Sequence, residues 1–432
     1  MPNPFAASVE AVAPARLGRS FRWLFASAIV TNAGDGVALA AGPLLVASQT
    51  RDPLLVSMAL LSQTLPALLF GFVAGAVADR VDRRRIVIGV NLVRAVILAG
   101  LAATIATGTV SIVVVLATLF ILGTAETFAD VGTSSLLPRL VRREDLGIAN
   151  ARLQGAFLLT NQLIAPPIGA FLFAVGMALP FATDAACFAM GAVLVARIVQ
   201  RPRDATDAAD VADDEAKGRR SSLRADMAEG LRWLMAHPPM RTLALTIFAF
   251  NVTFGAAWSV LVLYAGERLQ MDAVGFGLLT TAMAIGGIIG TVSYGRVERR
   301  FSLADIMRVG LLIETFTHLS LALTTSQAVA LGTMVVFGAH AFVWGTTSTA
   351  VRQRAVPDEL LGRVTGVYTV GLFAGIVAGT PIGGLLARTY GITAPFWFGF
   401  VGSAILVTIL WRQFEHIVHS GDVHAAPVAP PD

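Results

Sequence analysis

The stretch Arg80-Val-Asp-Arg-Arg-Arg85 is followed 216 residues later by a near copy, Arg296-Val-Glu-Arg-Arg-Phe301, and each comes shortly after a long apolar segment. Two further pairs repeat at an offset of 214 residues: Glu144-Asp145-Leu146 with Asp358-Glu359-Leu360, and Pro167-Ile168-Gly169 with Pro381-Ile382-Gly383. Three matches so close to one offset predict that the chain is a tandem repeat. Parallel repeats in a membrane are related by an axis along the membrane normal, with a site between the halves.

The composition is that of a membrane protein. Of the 432 residues, 55% are hydrophobic and 14% are charged, whereas soluble domains carry about 25% charged residues. These values exclude a soluble monomer, and they also exclude a disordered chain, which lacks apolar surface to bury. The single cysteine, Cys187, excludes an internal disulfide and any site built on paired cysteines. The net charge of +4 does not indicate a nucleic-acid partner, because the basic residues lie in the connections between apolar segments.

Twelve apolar segments are long enough to cross a hydrocarbon core, which takes about 20 residues. Each is predicted to be a helix, because only a helix or a closed barrel satisfies its backbone in lipid, and the short alternation of barrel strands is missing. The predicted fold class is all-α integral membrane, with twelve transmembrane helices in two six-helix bundles. The segments cover approximately 23–48, 54–77, 86–107, 109–130, 153–176, 178–199, 242–264, 274–295, 303–325, 327–350, 364–386 and 392–411.

The placement of arginines predicts the orientation. One set of connections is rich in arginine, as at 80–85 and 296–300, whereas the opposite set holds Arg51, Arg268 and Arg388. By the positive-inside rule, the rich set and both termini face the cytoplasm. The chain is therefore expected in the inner membrane with multiple spans. The basic residues before the first segment resemble the start of a signal peptide, but the apolar block that follows has the length of a spanning helix.

The longest connection divides the twelve segments into six and six. Its acidic first part is typical of a solvated linker. Ser222 is placed to cap a short amphipathic helix in its second part, which either packs under the bundle or binds a partner. The predicted organisation is a cytoplasmic N-terminal segment (1–22), a first bundle (23–199), a cytoplasmic linker (200–241), a second bundle (242–411) and a flexible cytoplasmic tail (412–432).

The connection after the second segment, Gly75-Ala-Val-Ala-Asp79-Arg80-Val-Asp82-Arg83, resembles the most specific motif of the major facilitator superfamily. The resemblance covers essentially the whole chain and implies the major facilitator fold, with a gate at Gly75, Asp79, Arg80 and Arg83. Asp82 stands where the motif has a second glycine. An aspartate here can accept hydrogen bonds from a facing helix N-terminus in one conformer and lose them in the other. The alternative is that these arginines, and Arg84 and Arg85 above all, only set the topology.

Two other stretches, 230–238 and 357–364, resemble bacterial drug and siderophore exporters of this superfamily. Segments 5 and 11 also carry proline and glycine patches, at 165–170 and 379–384. The first resembles the antiporter motif of superfamily exporters, but Asn161, Ala165 and Ala170 replace its glycines, which weakens an inference of antiport. The alternative is close packing of small residues at the interface of the two halves.

Four charged residues at membrane depth are candidates for proton coupling, since a charge at a helix centre costs roughly 2.5 to 3.5 kcal/mol and is retained for a reason. Asp35 lies midway along segment 1, Glu126 and Asp130 share one face of segment 4, and Arg94 lies in segment 3. The resemblance implies a cavity lined by segments 1, 4, 7 and 10, so Asp35 and Glu126 are expected to reach water, with Asn32 beside Asp35. The alternative is a static ion pair with Arg94.

The second half offers candidates for the substrate cavity. Asn251 and Trp258 share one face of segment 7, and His340 and Trp344 share one face of segment 10. The alternative is aromatic packing against neighbouring helices. The remaining polar residues are expected to have structural roles or to lie in a flexible tail rather than to bind a metal: Asp184 on segment 6, Glu314 and His318 on segment 9, and His416, His419 and His424 near the C-terminus.

These features favour a transporter over the other membrane classes. A membrane enzyme would need a nucleophile with its base or an HExxH motif, a channel would need a pore built by an oligomer, and neither pattern occurs. A GxxxxGK[ST] motif is also missing, so an ion gradient must drive the work. The sequence predicts a monomeric secondary transporter without cofactor or metal, which exports a small amphipathic compound in exchange for protons. The alternative is uptake or facilitated diffusion of a polar solute.

Overall fold

The structure of the chain, a computed structural model, describes residues 14–199 and 223–414. Within these ranges the regular secondary structure is helical and strands are absent. Eleven of the described helices are long and apolar enough to cross a membrane, and a further one, Ala394–Leu410, is shorter but also apolar. The all-α membrane fold predicted from the sequence is confirmed.

The first half of the chain forms six long helices: α1 (Gly18–Gln49), α2 (Pro53–Arg80), α3 (Arg83–Ala106), α4 (Ile112–Leu136), α5 (Leu146–Val175) and α6 (Leu179–Ala196). Polar side chains begin three of them. Asp52 caps α2, Asp82 caps α3 and Ser111 caps α4. Each accepts a hydrogen bond from an amide that the helix itself leaves unpaired, which is costly near lipid.

The described residues of the second half form eight helices: α7 (Leu223–Ala236), α8 (Pro238–Trp258), α9 (Leu261–Glu267), α10 (Ala273–Arg300), α11 (Leu303–Leu323), α12 (Gln327–Ala355), α13 (Asp358–Tyr390) and α14 (Ala394–Leu410). The prediction of one helix over 242–264 is wrong, because α8 ends at Trp258 and α9 begins at Leu261. Val260 between them has left the helical region, at φ −113° and ψ 7°. The hydroxyl of Ser259 donates to the carbonyl of Ala256 and to that of Thr380 on α13, which competes with regular helical bonding.

Helix α5 contains a π-helical segment, Leu158–Ile164, directly before the proline pair of its patch. Pro166 and Pro167 have no amide hydrogen, so the ordinary i to i−4 bonds cannot form there. The amide of Ala165 instead donates to the carbonyl of Thr160, five residues back. The wider turn lets the helix pass the prolines without ending.

The chain divides into two compact units, of which the structure describes the residues given above. The first comprises Met1–Ala209 and Gln270–Thr281, and the second comprises Asp210–Leu269 and Ala282–Asp432. The start of α10 thus belongs with the first unit, although it lies in the second half of the chain.

In the first unit, α1 packs against α5 and α6, α3 packs against α4 and α6, and α2 packs against α4. Small residues allow the closest approaches. Gly169 of α5 lies directly against the backbone of Val37 in α1, and Gly36 lies against the backbone of Asn161. A side chain at either glycine would collide with main-chain atoms, so this contact depends on the missing Cβ.

In the second unit, α8 packs along α13, and α11 packs against α12 and α14. Gly379 and Gly383 of α13 lie against the backbone of Val252 and Ala256 in α8. The alternative interpretation of the patches, packing between the halves, does not describe Gly379 and Gly383. It does describe the first patch in part, because Ala170 and Pro166 lie against Gly277 of α10. Gly169, Gly379 and Gly383 thus bring helices of the same half together, because each faces the first helix of its own repeat.

Arginines tie the ends of helices together in both units. The Arg84 guanidinium donates to the carbonyls of Val195 and Ala196 at the end of α6. In the second unit Nε of Arg308 donates to the carbonyl of Trp411, just after α14, at 2.8 Å. The C-terminal carbonyls of a helix lack intrahelical partners and carry partial negative charge, so an arginine stabilises them. Arg84 thus has a structural contact in addition to the topological role expected of it.

The linker helix α7 packs against α13. This agrees with the interpretation of its amphipathic pattern as a packing surface rather than a surface that binds a partner. Arg363 on α13 contacts two carboxylates of α7, Asp226 at 2.7 Å and Glu229 at 2.9 Å. Gly230 lies against the backbone of Arg363. Leu231 is 49% exposed on the other side of α7. Ser222, the expected cap, lies outside the described residues.

Candidate functional site

A buried ion pair joins α1 and α3 in the first unit. Nη2 of Arg94 lies 2.6 Å from Oδ1 of Asp35, with the arginine side chain 7% exposed and the aspartate 23% exposed. The guanidinium also lies over the ring of Phe188 on α6, 3.9 Å from its centroid, a cation–π contact. The ion pair that the sequence left open as an alternative is present, and together with the Phe188 contact it links α1, α3 and α6.

Asp184 on α6 belongs to the same group of charges. It is 1% exposed, and its Oδ1 has no hydrogen-bond partner. Gly34 of α1 leaves the space that its carboxylate occupies, and the carboxylate interacts electrostatically with Asp35 and Arg94. The sequence pointed to a structural role for Asp184, because α6 lies outside the superfamily cavity. The sequence feature that singled out Asp35, a charged residue within an apolar segment, is also present at Asp184.

Glu126 and Asp130 on α4 are exposed, while Asn32 on α1 is half-buried. Both acidic residues interact electrostatically with the Asp35–Arg94 pair. A carboxylate at membrane depth does not face lipid, because the cost is too high. Their exposed surface is therefore expected to meet water. The structure thus brings together all four residues singled out for proton coupling and adds Asp184 as a fifth.

The gate motif is described in part. Gly75 has no neighbouring atom near the position that a Cβ would take, and Arg83 opens α3 and is half-buried. The side chains of Asp79 and Arg80 lie outside the described residues. Asp82, which replaces the second glycine of the motif, accepts hydrogen bonds from the amides of Arg84 and Arg85 at 2.9 and 3.1 Å, so the departure from the motif caps α3.

An aromatic cluster fills the second unit between α8 and α12. Trp258 stacks on Phe254 with ring centroids 4.5 Å apart and packs on Phe337 at 4.6 Å, and Trp344 stacks on Phe250 at 6.3 Å. Trp344 is buried and Trp258 half-buried, so the aromatic packing expected as the alternative is present. Their contact with substrate stays a prediction.

The other two cavity candidates, Asn251 and His340, are buried, and each makes a polar contact. Asn251 donates from Nδ2 to the carbonyl of Ile247 in its own helix. His340 lies with Nε2 3.3 Å from Oε2 of Glu314 on α11. His318 approaches the other carboxylate oxygen, with Nε2 3.0 Å from Oε1. The sequence separated His340 from Glu314 and His318 as cavity and structural residues, whereas the structure joins the three in one cluster.

A groove of about 590 Å³ lies on the second unit between α10 and α12. It mixes apolar surface with a few hydrogen-bonding groups, as small-molecule sites do. Its lining residues are Tyr294, Glu298, Ala341, Phe342, Gly345, Thr346, Thr349, Ala350 and Gln353. Nothing in the sequence indicated this groove, because its residues come from two segments and include a single carboxylate.

The comparison with known families matches residues 9–425 to the model of a family described as transmembrane secretion effector. The chain belongs to this family of the major facilitator superfamily. The expectation of a transporter rather than an enzyme is confirmed, and so is the resemblance on which it rested.

Similar proteins of this kind include exporters. The multidrug efflux pump Tap of Mycolicibacterium fortuitum is 27% identical over 385 residues, which cover 86% of this chain and 90% of that protein. The enterobactin exporter EntS of Shigella boydii is 25% identical over 417 residues, which cover 92% and 93%. This transporter also aligns with a bacterial homologue of ferroportin in an inward-facing state, with a TM-score of 0.71 and 17% identity over 92% of this chain and 98% of that one. At that identity the likeness shows the fold.

Proposed function

We propose that this transporter exports small amphipathic compounds across the inner membrane in exchange for protons, by alternating access. The observation that carries the proposal is the imbalance of charge in the first unit, where four carboxyl groups among the described residues interact with the cation Arg94. With every group ionised, the buried Asp184 and the partly buried Asp35 together carry one negative charge more than Arg94, and Glu126 and Asp130 add to this excess from the side that faces water. A medium of low dielectric constant disfavours such an excess, so protons are needed to neutralise part of it.

The different exposure of these groups supports a path for those protons. Glu126 and Asp130 are exposed, Asp35 is partly open and Arg94 is buried. A proton that reaches Asp35 from the open carboxylates removes its charge and weakens its pairing with Arg94. The pair thus has two states that depend on the proton, and a conformational equilibrium can be biased by such a difference.

The character of the cargo is supported by the relatives and by the groove on the second unit. Two relatives are named as a multidrug pump and an enterobactin exporter. The groove of about 590 Å³ is within the usual range for drug-sized ligands, about 300 to 1,000 Å³. Its aromatic and hydroxyl-bearing lining fits a compound with both apolar and polar parts.

Vesicles test the direction and the coupling. Everted membrane vesicles with an acidic interior should concentrate a cationic amphipathic dye, because a proton moving out then drives the dye in. Glu126→Gln and Asp35→Asn should abolish concentration but keep downhill exchange. Glu144→Gln, at an exposed pair with Arg142, serves as the matched control and should behave like wild type.

Three results would contradict parts of this proposal. Full concentrative activity in both variants would exclude these carboxyl groups as proton carriers. Indifference of the wild type to the pH gradient would exclude proton coupling. Accumulation of a polar solute in vesicles of the opposite orientation, without dye transport, would favour uptake.

The gate and the orientation are part of the same proposal. Asp79→Asn removes a charge and keeps the size, so the chain should insert normally and lose most transport; transport near wild type would reduce Asp79 to a topological role. Both termini are proposed to face the cytoplasm. In a Cys187→Ser background, cysteines introduced near Gly108 and Gln327 should react with an external reagent, and one near Asp210 should not. Labelling at Asp210 in sealed cells would reverse the orientation.

A further inference from the structure

Glu314 lies between two imidazole rings in the interior of the second unit. Its carboxylate oxygens are 3.0 Å from Nε2 of His318 on the same helix and 3.3 Å from Nε2 of His340 on α12. The side chains of Glu314 and His318 are 0% exposed and that of His340 is 3% exposed. Three ionisable groups are thus enclosed together.

The surroundings of the cluster are apolar or aromatic. Gly399 of α14 lies against the ring of His318, and α14 has no charged residue along Ala394–Leu410. Trp258 of α8 lies edge-on to His318 with centroids 6.3 Å apart, and Phe337 lies edge-on to His340 at 6.0 Å.

The charged residues of the packed elements lie toward the ends of the helices. Within the described residues, the nearest along α11 is Arg308, six residues and about 9 Å from Glu314 at 1.5 Å per residue. The others are Arg241 on α8, Glu267 and Arg268 at the end of α9, Arg296 to Arg300 on α10, Asp305 on α11, Arg352 and Arg354 on α12, and Asp358, Glu359, Arg363 and Arg388 on α13.

The charge of this cluster depends on a single proton. With both rings neutral and the carboxylate ionised, the cluster carries one negative charge in a fully buried, largely apolar site, which is costly. One proton added to the Nδ1 lone pair of either ring makes an imidazolium beside a carboxylate, with no net charge, and no bond is broken. The Nδ1 atoms of both rings have no hydrogen-bond partner, so both are available to receive it.

We propose that Glu314, His318 and His340 form a second proton-binding site, which holds one proton shared by the two histidines. A metal is a poorer occupant, since the described residues contain no group of histidine, cysteine and acidic side chains arranged to hold one. Occupancy changes the charge of rings that contact Trp258 and Phe337, so it acts on the aromatic cluster of α8 and α12. A role of this site in driving export rests on the proposed function, whereas binding of the proton does not.

Histidine-selective NMR of the full-length protein in lipid nanodiscs measures the site directly. The chain has six histidines, and His318→Gln and His340→Gln assign the two signals of interest. Both rings should change with pH at one common midpoint. Glu314→Gln keeps the shape but removes the neighbouring negative charge, so it should lower the proton affinity at least tenfold and move the midpoint to lower pH. Glu144→Gln, at the exposed pair with Arg142, should leave the midpoint unchanged, as should His237→Gln.

Several outcomes would overturn the inference. Two rings that stay neutral across the accessible pH range, or a midpoint that Glu314→Gln leaves in place, would reduce the cluster to a fixed polar contact. Stoichiometric zinc binding that requires all three residues would make it a metal site instead. If Glu314→Gln does not fold, His340→Gln gives the same test, because His318 should then bind the proton alone beside Glu314 and keep a pH-dependent signal.

The two proposals fail separately. If vesicle transport ignores the pH gradient while the histidine signals shift together, the export mechanism is wrong and the proton site stands. If transport responds to the gradient and the histidine signals do not change with pH, the proton site is wrong and the export mechanism stands. If both proposals are right, Glu314→Gln should shift the pH dependence of transport to lower pH, as it should shift the midpoint of the histidine NMR signals.

Discussion

The Asp35–Arg94 ion pair should be strongly coupled, and a double-mutant cycle measures that coupling. The atoms lie 2.6 Å apart and the arginine side chain is 7% exposed, so water screens the pair weakly. Two unit charges about 4 Å apart interact by about 4 kcal/mol at an effective dielectric constant near 20. Removing one partner of a buried pair costs about 3 to 5 kcal/mol, because the other charge remains buried without compensation.

The two single variants should differ. Arg94→Met leaves the carboxyl groups without their cation but keeps an unbranched side chain over Phe188, and we expect a loss near the lower end of that range, about 3 kcal/mol. The loss should shrink as the pH falls, since protonation of Asp35 removes the unpaired charge. Asp35→Asn should cost less, because Asp184 and the acidic residues of α4 still compensate Arg94.

Equilibrium unfolding in mixed detergent micelles gives the four free energies of the cycle. The double variant should be more stable than the sum of the single losses predicts by about 2 kcal/mol, within the range measured for contacting residues. The exposed pair Arg142–Glu144, with its atoms 3.5 Å apart, is the control, and its coupling should be below about 0.5 kcal/mol. Equal coupling in the two pairs would refute the view that Arg94 is the electrostatic centre of the first unit.

Three further changes test the packing of the second unit. Gly379→Ala forces a methyl group against the α8 backbone and should lower the stability of the protein by about 1 to 3 kcal/mol. The control Gly371→Ala should leave the stability unchanged, because a methyl group at that position meets no neighbouring atom. Equal melting temperatures of the two variants would contradict the close contact at Gly379. Tyr264→Phe removes a 2.6 Å hydrogen bond to a carbonyl of α11 and should cost about 1 kcal/mol, unlike Tyr390→Phe at a residue 76% exposed. Arg363→Gln removes both ion pairs to α7, so amide exchange should accelerate several-fold in α7 and stay constant in α14; unchanged exchange in α7 would show that apolar contacts alone hold it.

The sequence by itself determined the membrane class, the family and most of the spans, although it predicted one helix where the structure has α8 and α9. In hydrocarbon a backbone must satisfy its own polar groups, so the length of an apolar segment is enough to predict a helix. The motif at 75–83 and the stretches at 230–238 and 357–364 carried the resemblance that the family comparison confirms. The sequence also identified Asp35, Arg94 and the acidic residues of α4 as unusual, because a charge in an apolar segment is costly wherever the helix lies.

Only the tertiary structure decided which of these residues meet. Asp184 and Gly34 are 150 positions apart along the chain, and Glu314 and His340 lie on different helices, so no local pattern relates them. The glycines of the two patches show the same limit: their small size predicts a close helix contact, but not the partner helix. That choice depends on how each helix is rotated against its neighbours, and rotation is set by the packing of all contacting side chains together. Charges buried by this packing must be neutralised where they lie, and the structure alone shows which groups are present to do so.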